Sequence, residues 1–184
     1  MNLRWVPNAI CIVRIILIAP LVVALFAGQY PLALALIVVA GLSDGVDGFL
    51  ARTFDWRTRL GSLLDPAADK LLLVSTFVCL SLLDLIPVAL TAIVILRDIV
   101  IVSGALIYQQ LAGYFRGEPT TVSKLNTLCQ LLFVVCTIMA AQWQQPGQGA
   151  LVLLGALVVF TSITSGLNYV LIWSRKAGQL SAAR

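Results

Sequence analysis

Long apolar stretches alternate with short polar or turn-forming ones along the chain, and each apolar stretch runs well past strand length, so each predicts a helix. The first runs from about Ala9 to Ala27, behind a lead-in that contains Arg4 and Trp5. Pro20 inside it predicts a kink rather than a break. Arg14 interrupts this stretch and no small-x-small cleavage site ends it, so it is expected to be a retained helix and not a signal peptide. The second helix spans about Pro31 to Thr53, and Phe54 to Gly61 forms a turn. The third follows from Ser62 or Asp65 to Leu83, with Pro66 tolerated in its first turn. Asp84 to Pro87 make the next turn, the fourth helix covers Ile86 to Leu111, and Ala112 to Thr120 read as a polar loop. Thr120 or Thr121 can cap a fifth helix that ends near Ala141. Pro146-Gly147 mark the last turn, the sixth helix runs from Ala150 to Trp173, and Ser174 to Arg184 form a basic tail.

Helices of this length suit a bilayer, which needs about 20 apolar residues per crossing. The expected fold is therefore all-α, with six transmembrane helices in a single domain over residues 1–184. Composition agrees: 60% of residues are hydrophobic, 11% are charged and the mean hydropathy is +1.01, which excludes an ordinary soluble fold. Cys11, Cys79, Cys129 and Cys136 lie inside apolar stretches without CxxC spacing and read as small buried hydrophobes. The chain has no His. That removes the usual general base and leaves aspartates, which prefer hard ions such as Mg²⁺ or Mn²⁺.

The placement of the cations says more than the net charge of +4. If the six helices span, Arg4, Arg14, Arg52, Arg57, Arg59, Lys70, Arg116, Lys124, Arg175, Lys176 and Arg184 fall on one side, and the opposite turns carry no Lys or Arg. By the positive-inside rule that side is cytoplasmic and holds both termini, and the expected location is a bacterial inner membrane. No nucleic-acid partner is expected.

Against this apolar background, the stretch from Ser43 to Lys70 concentrates carboxylates: Asp44, Asp47, Asp65 and Asp69. Asp44 and Asp47 are three residues apart and Asp65 and Asp69 four apart, so each pair shares one helix face. A short turn joins the two helices, so the faces can meet below the headgroups of the inner leaflet. Four carboxylates cannot all stay ionised there without cations, because like charges repel strongly in low dielectric. Two divalent ions would neutralise them and could grip a nucleotide diphosphate. Gly48 and Gly61 would let substrate or backbone approach closely, and Arg52 supplies a fork that suits phosphate. Each residue has a plainer reading. Ser62 and Asp65 fit a capping box, Asp47 and Arg52 an interfacial ion pair, and Gly48 and Gly61 packing or turn positions. Together those readings leave Asp44 and Asp69 as buried charges without a purpose. An ion channel or transporter would also hold intramembrane carboxylates, but no strongly polar trail continues to the outer face.

Written out, the pattern is Asp44, Asp47-Gly48, Ala51-Arg52, Gly61, Asp65 and Asp69, and it resembles the full signature of the CDP-alcohol phosphatidyltransferases. Pro7-Asn8 through Arg14 resembles the same family's N-terminal stretch, with Cys11 where a Thr or Ser is common. The resemblance implies six transmembrane helices with a polar site at their cytoplasmic end, a homodimer, and two divalent cations, Mg²⁺ or Mn²⁺. It also implies transfer of a phosphatidyl group from CDP-diacylglycerol with release of CMP. Asp44, Asp47 and Asp65 would be metal ligands, and Asp69 both a metal-associated carboxylate and the general base toward the acceptor hydroxyl. Gly48, Ala51 and Gly61 would line the cytidine side, and Arg52 would contact the diphosphate.

Within the family, Leu96-Arg97-Asp98, Ser123-Lys124-Leu125-Asn126-Thr127 and Asp84-Leu85-Ile86-Pro87 resemble the eukaryotic-type cardiolipin synthases, whose acceptor is phosphatidylglycerol. Phosphatidylglycerophosphate synthases, which take glycerol 3-phosphate, are the alternative branch. Arg97 falls about eleven residues into the fourth helix, where a cation is costly unless paired. Asp98 points roughly 100° away around the helix and reads as an imperfect partner. Arg97 and Lys124 are therefore expected to hold the acceptor's phosphate, the plainer readings being an ion pair to another helix and a snorkelling lysine.

Overall fold

The computed structural model describes residues 6–53, 61–112 and 121–182, and side chains over 9–43, 68–104 and 121–171. Among the described residues six α-helices follow one another: α1 (Val6–Phe26), α2 (Tyr30–Thr53), α3 (Gly61–Leu82), α4 (Val88–Ala112), α5 (Thr121–Trp143) and α6 (Gln148–Ala182). All regular structure among the described residues is helical.

The helix ends have local causes. Gly28, at φ 69, closes α1: its N–H bonds the Leu25 carbonyl at 3.1 Å, and that of Gln29 bonds Ala24 at 2.9 Å. A left-handed residue just past the helix thereby satisfies carbonyls that would otherwise be orphaned. Asp84, at φ 56, closes α3 in the same way, with Asp84 N–H to Ser81 at 3.1 Å and Leu85 N–H to Leu80 at 2.9 Å. Asp tolerates this conformation better than most residues carrying a Cβ. Pro87 then ends the turn, and its carbonyl accepts from Leu90 at 3.0 Å as α4 begins.

Five helices fall within a few residues of their expected bounds, and α6 departs. It continues from the apolar stretch through the basic segment to Ala182, so much of the expected tail is helix. Arg, Lys, Gln, Leu and Ala are all good helix formers, and Gly178 alone is too weak a breaker to stop them.

Among the described residues, three helical segments are long and apolar enough to cross a membrane: Ala9–Phe26, Thr121–Trp143 and Gln148–Leu171. The described apolar part of α2, Tyr30–Ser43, is shorter. Large apolar side chains point outward on these helices, including Ile16, Val23, Val152 and Phe160. Such a surface suits lipid and would be a liability in water.

The described chain falls into two compact units. The first comprises residues 1–86 and 134–147. Here α1 packs against both α2 and α3 around Cys11, Leu21, Leu25, Ile37, Phe77 and Leu80. Ala33 and Ala40 on α2 are fully buried, as small residues are where helix backbones come close in lipid. The second unit comprises residues 87–133 and 148–184, and in it α4 packs against α6. At Gly155 of α6 an added Cβ would lie 3.3 Å from Leu90 Cδ1 and 3.4 Å from Phe133 Cε2, so glycine permits this approach. Cys11 and Cys79 are buried, and Cys129 and Cys136 half-buried.

Candidate active site

Of the four aspartates, Asp69 is the one whose side chain is described. It sits on α3 between buried Ala68 and Leu72, and its side chain is 42% exposed. Arg14 of α1 donates from Nη1 to Asp69 Oδ1 at 2.8 Å, across 55 residues of sequence, and the guanidinium is wholly buried. From the sequence, Arg14 interrupts an apolar stretch, falls on the cation-rich side and ends the family-like N-terminal stretch, with no partner assigned to it. Its periodic apolar neighbours, with Cys11 one turn before it, were the available sign that this face turns inward.

The side chains of Asp44, Asp47, Gly48, Ala51, Arg52, Gly61 and Asp65 lie outside the described ones. The backbone is helical at all eight signature positions, so 44 and 47 keep helical register on α2, as do 65 and 69 on α3. Gly61 and Ser62 fall inside α3 as it begins, so the expected cap at Ser62 becomes a first-turn residue. No cluster of three or more metal-ligating residues occurs among the described residues. Asp69 itself fits a hard divalent cation: it offers carboxylate oxygens, it is half-open, and a buried helix face fixes its stem.

In the second unit Arg97 is buried and engaged on three sides. Nη1 donates to Asp98 Oδ1 at 2.6 Å, and Nη2 to Ser123 of α5 at 2.6 Å and Ser165 of α6 at 2.7 Å. This corrects the reading of Asp98 as an imperfect partner. Adjacent Cα–Cβ vectors do diverge on a helix, but the long arginine stem curls back to its neighbour's carboxylate. A buried arginine costs about 3 kcal/mol on insertion scales, and three charge-assisted bonds offset that cost. Its Nε has no hydrogen-bond partner. Lys124 is exposed on α5, next in sequence to Ser123.

A second polar contact, which the sequence reading did not single out, joins α5 to α6. Asn126 Oδ1 accepts from Thr161 at 2.8 Å and Ser162 at 2.9 Å. Asn126 and Gln130 are both buried, one turn apart. Polar residues at helical spacing within an apolar span were the signal that could have revealed this seam.

The family model for CDP-alcohol phosphatidyltransferases matches residues 4–167, reaching across both units. The chain belongs to the CDP-alcohol phosphatidyltransferase family. Enzymes of this family generally depend on divalent metal. The chain is 35% identical over 181 residues to a human cardiolipin synthase (CMP-forming), an alignment covering 89% of this chain and 60% of that protein. A probable cardiolipin synthase of Drosophila melanogaster is 31% identical over 186 residues, covering 92% of this chain and 58% of the relative. A chloroplastic CDP-diacylglycerol–glycerol-3-phosphate 3-phosphatidyltransferase of rice is 29% identical over 156 residues, or 74% of this chain and 47% of the relative. The chain thus spans roughly half to three fifths of the length of these relatives. They are human, insect and plant proteins, so they do not single out a bacterial inner membrane.

Proposed function

We propose that this chain transfers a phosphatidyl group from CDP-diacylglycerol to phosphatidylglycerol, giving cardiolipin and CMP. One observation carries the reading: a chain with all eight signature residues is 35% identical to a cardiolipin synthase over 181 residues. In the proposed reaction the acceptor hydroxyl attacks the phosphorus bearing the diacylglycerol. The bond from that phosphorus to the CMP oxygen breaks, and Asp69 takes the hydroxyl proton. Asp44, Asp47, Asp65 and Asp69 would hold two divalent cations, Mg²⁺ or Mn²⁺, which when bound neutralise charge on the diphosphate. Arg52 would bind the same diphosphate through its planar fork, while Gly48, Ala51 and Gly61 leave room for cytidine. We treat 1–184 as one catalytic domain of six transmembrane helices, paired as a homodimer, with both termini on the cytoplasmic side. The cation distribution supports that orientation.

The rice relative favours a second reading, in which glycerol 3-phosphate is the acceptor. An acceptor panel decides between them. Purified protein is given CDP-diacylglycerol with phosphatidylglycerol, glycerol 3-phosphate, inositol phosphate or serine, and the products are identified by mass spectrometry. Cardiolipin from phosphatidylglycerol supports the first reading, product from glycerol 3-phosphate alone the second, and no CMP release from any acceptor refutes both.

Arg97 and Lys124 are the proposed contacts to the acceptor's phosphate. Lys124 is exposed, so Lys124→Gln should fold normally and raise the acceptor KM about tenfold, with the donor KM unchanged. Arg97→Lys keeps a cation beside Asp98 but loses the fork, and should act in the same direction. Normal acceptor kinetics with a raised donor KM in both variants would move these cations to the CDP-lipid.

A further inference from the structure

We propose that Arg14 is a positioning residue for Asp69, holding the carboxylate from behind so that its open side faces the reaction; this rests on the reading of Asp69 as proton acceptor. Arg14 lies on α1, outside the eight-residue signature on α2 and α3. The asymmetry of the pair is the reason. The guanidinium is 0% exposed and the carboxylate 42%. An ion pair serving only to tie two helices together has no need to leave its carboxylate half-open to solvent, where the attraction is screened. Here the cation is enclosed and the carboxylate is partly exposed.

The surroundings reinforce the geometry. Arg14 is packed at the α1–α3 contact, with Cys11 buried one turn before it and Leu21 two turns beyond. Ala68 and Leu72, on either side of Asp69 along α3, are also buried. The stem of Asp69 therefore rises from a packed seam, and the bond to Oδ1 at 2.8 Å restricts rotation of its carboxylate. A proton acceptor must sit within hydrogen-bond reach of the attacking hydroxyl, and a displacement of about 1 Å can cost 10²-fold in rate. A guanidinium keeps its charge throughout the working pH range. Lysine at this position would restore the charge but not the planar fork.

The test is a double-mutant cycle on the full-length protein, using Arg14→Gln, Arg14→Lys, Asp69→Asn and the Arg14→Gln/Asp69→Asn double variant. Turnover and donor KM are measured on each, together with thermal midpoints in EDTA as a readout independent of catalysis. Arg14→Gln is expected to lower turnover at least about tenfold with the donor KM within about twofold, and Arg14→Lys to recover part of the loss. In the double variant the loss should be no greater than in Asp69→Asn alone, because Arg14 acts through that carboxylate. The midpoints in EDTA should likewise be non-additive. Full turnover in Arg14→Gln, or losses that multiply in the double variant, would overturn the proposal. If Arg14→Gln does not fold, Arg14→Lys decides: reduced turnover at unchanged donor KM supports positioning, and wild-type turnover overturns it. Normal turnover in Asp69→Asn removes the base assignment itself, and with it this role for Arg14, while the midpoints still report whether the pair joins α1 to α3. Losses in both single variants that multiply in the double variant overturn the positioning and leave the base assignment of Asp69 standing.

Discussion

Asp69→Asn is expected to cut turnover by at least about 10²-fold while CDP-donor binding survives. The substitution keeps the size of the side chain and an oxygen that can still accept from Arg14, so the α1–α3 connection is weakened rather than removed. What it abolishes is the ability to take a proton from the acceptor hydroxyl. With no His anywhere in the chain, no imidazole can substitute. Steady-state turnover and donor KM on purified protein in lipid nanodiscs check this, with the thermal midpoint as a folding control. Near-normal turnover would eliminate Asp69 as the base.

An equally large effect is expected at the other carboxylates. Asp44→Ala or Asp65→Ala should abolish activity and weaken donor affinity together, because cations and diphosphate hold one another in place. Asp69→Asn keeps an oxygen for a cation and should leave donor affinity largely intact, so the two classes separate by their effect on donor binding. Excess EDTA should reproduce the aspartate variants in the wild-type protein, and added Mn²⁺ or Mg²⁺ should reverse it. Activity in EDTA equal to that in Mg²⁺ would end the two-cation reading.

Much of the helical layout was legible in the sequence because its cues are local. Turn residues marked such an end: the Asp84 to Pro87 turn stops α3 through backbone conformation within a few positions. The end of α6 was misjudged because hydropathy reports where lipid ends, whereas helix propensity decides where the helix ends, and the basic segment satisfies the second after failing the first. The eight-residue signature was legible for a different reason. Chemistry that needs several carboxylates in an apolar setting leaves a costly pattern that packing alone does not explain.

What the sequence by itself determined is a helical membrane chain, its family, and a set of aspartates spaced to share helix faces. Only the tertiary structure decided which cation meets which carboxylate. Arg14 and Asp69 are 55 positions apart, and Arg97 meets Ser123 and Ser165 from two other helices. Spacing along one helix fixes which side chains share a face, since the repeat is local. It carries no information about the neighbour that face will meet, which depends on how separate helices pack and on how far a flexible arginine can bend. For the same reason Asp98, set aside on angular grounds, proved to be within 2.6 Å of Arg97.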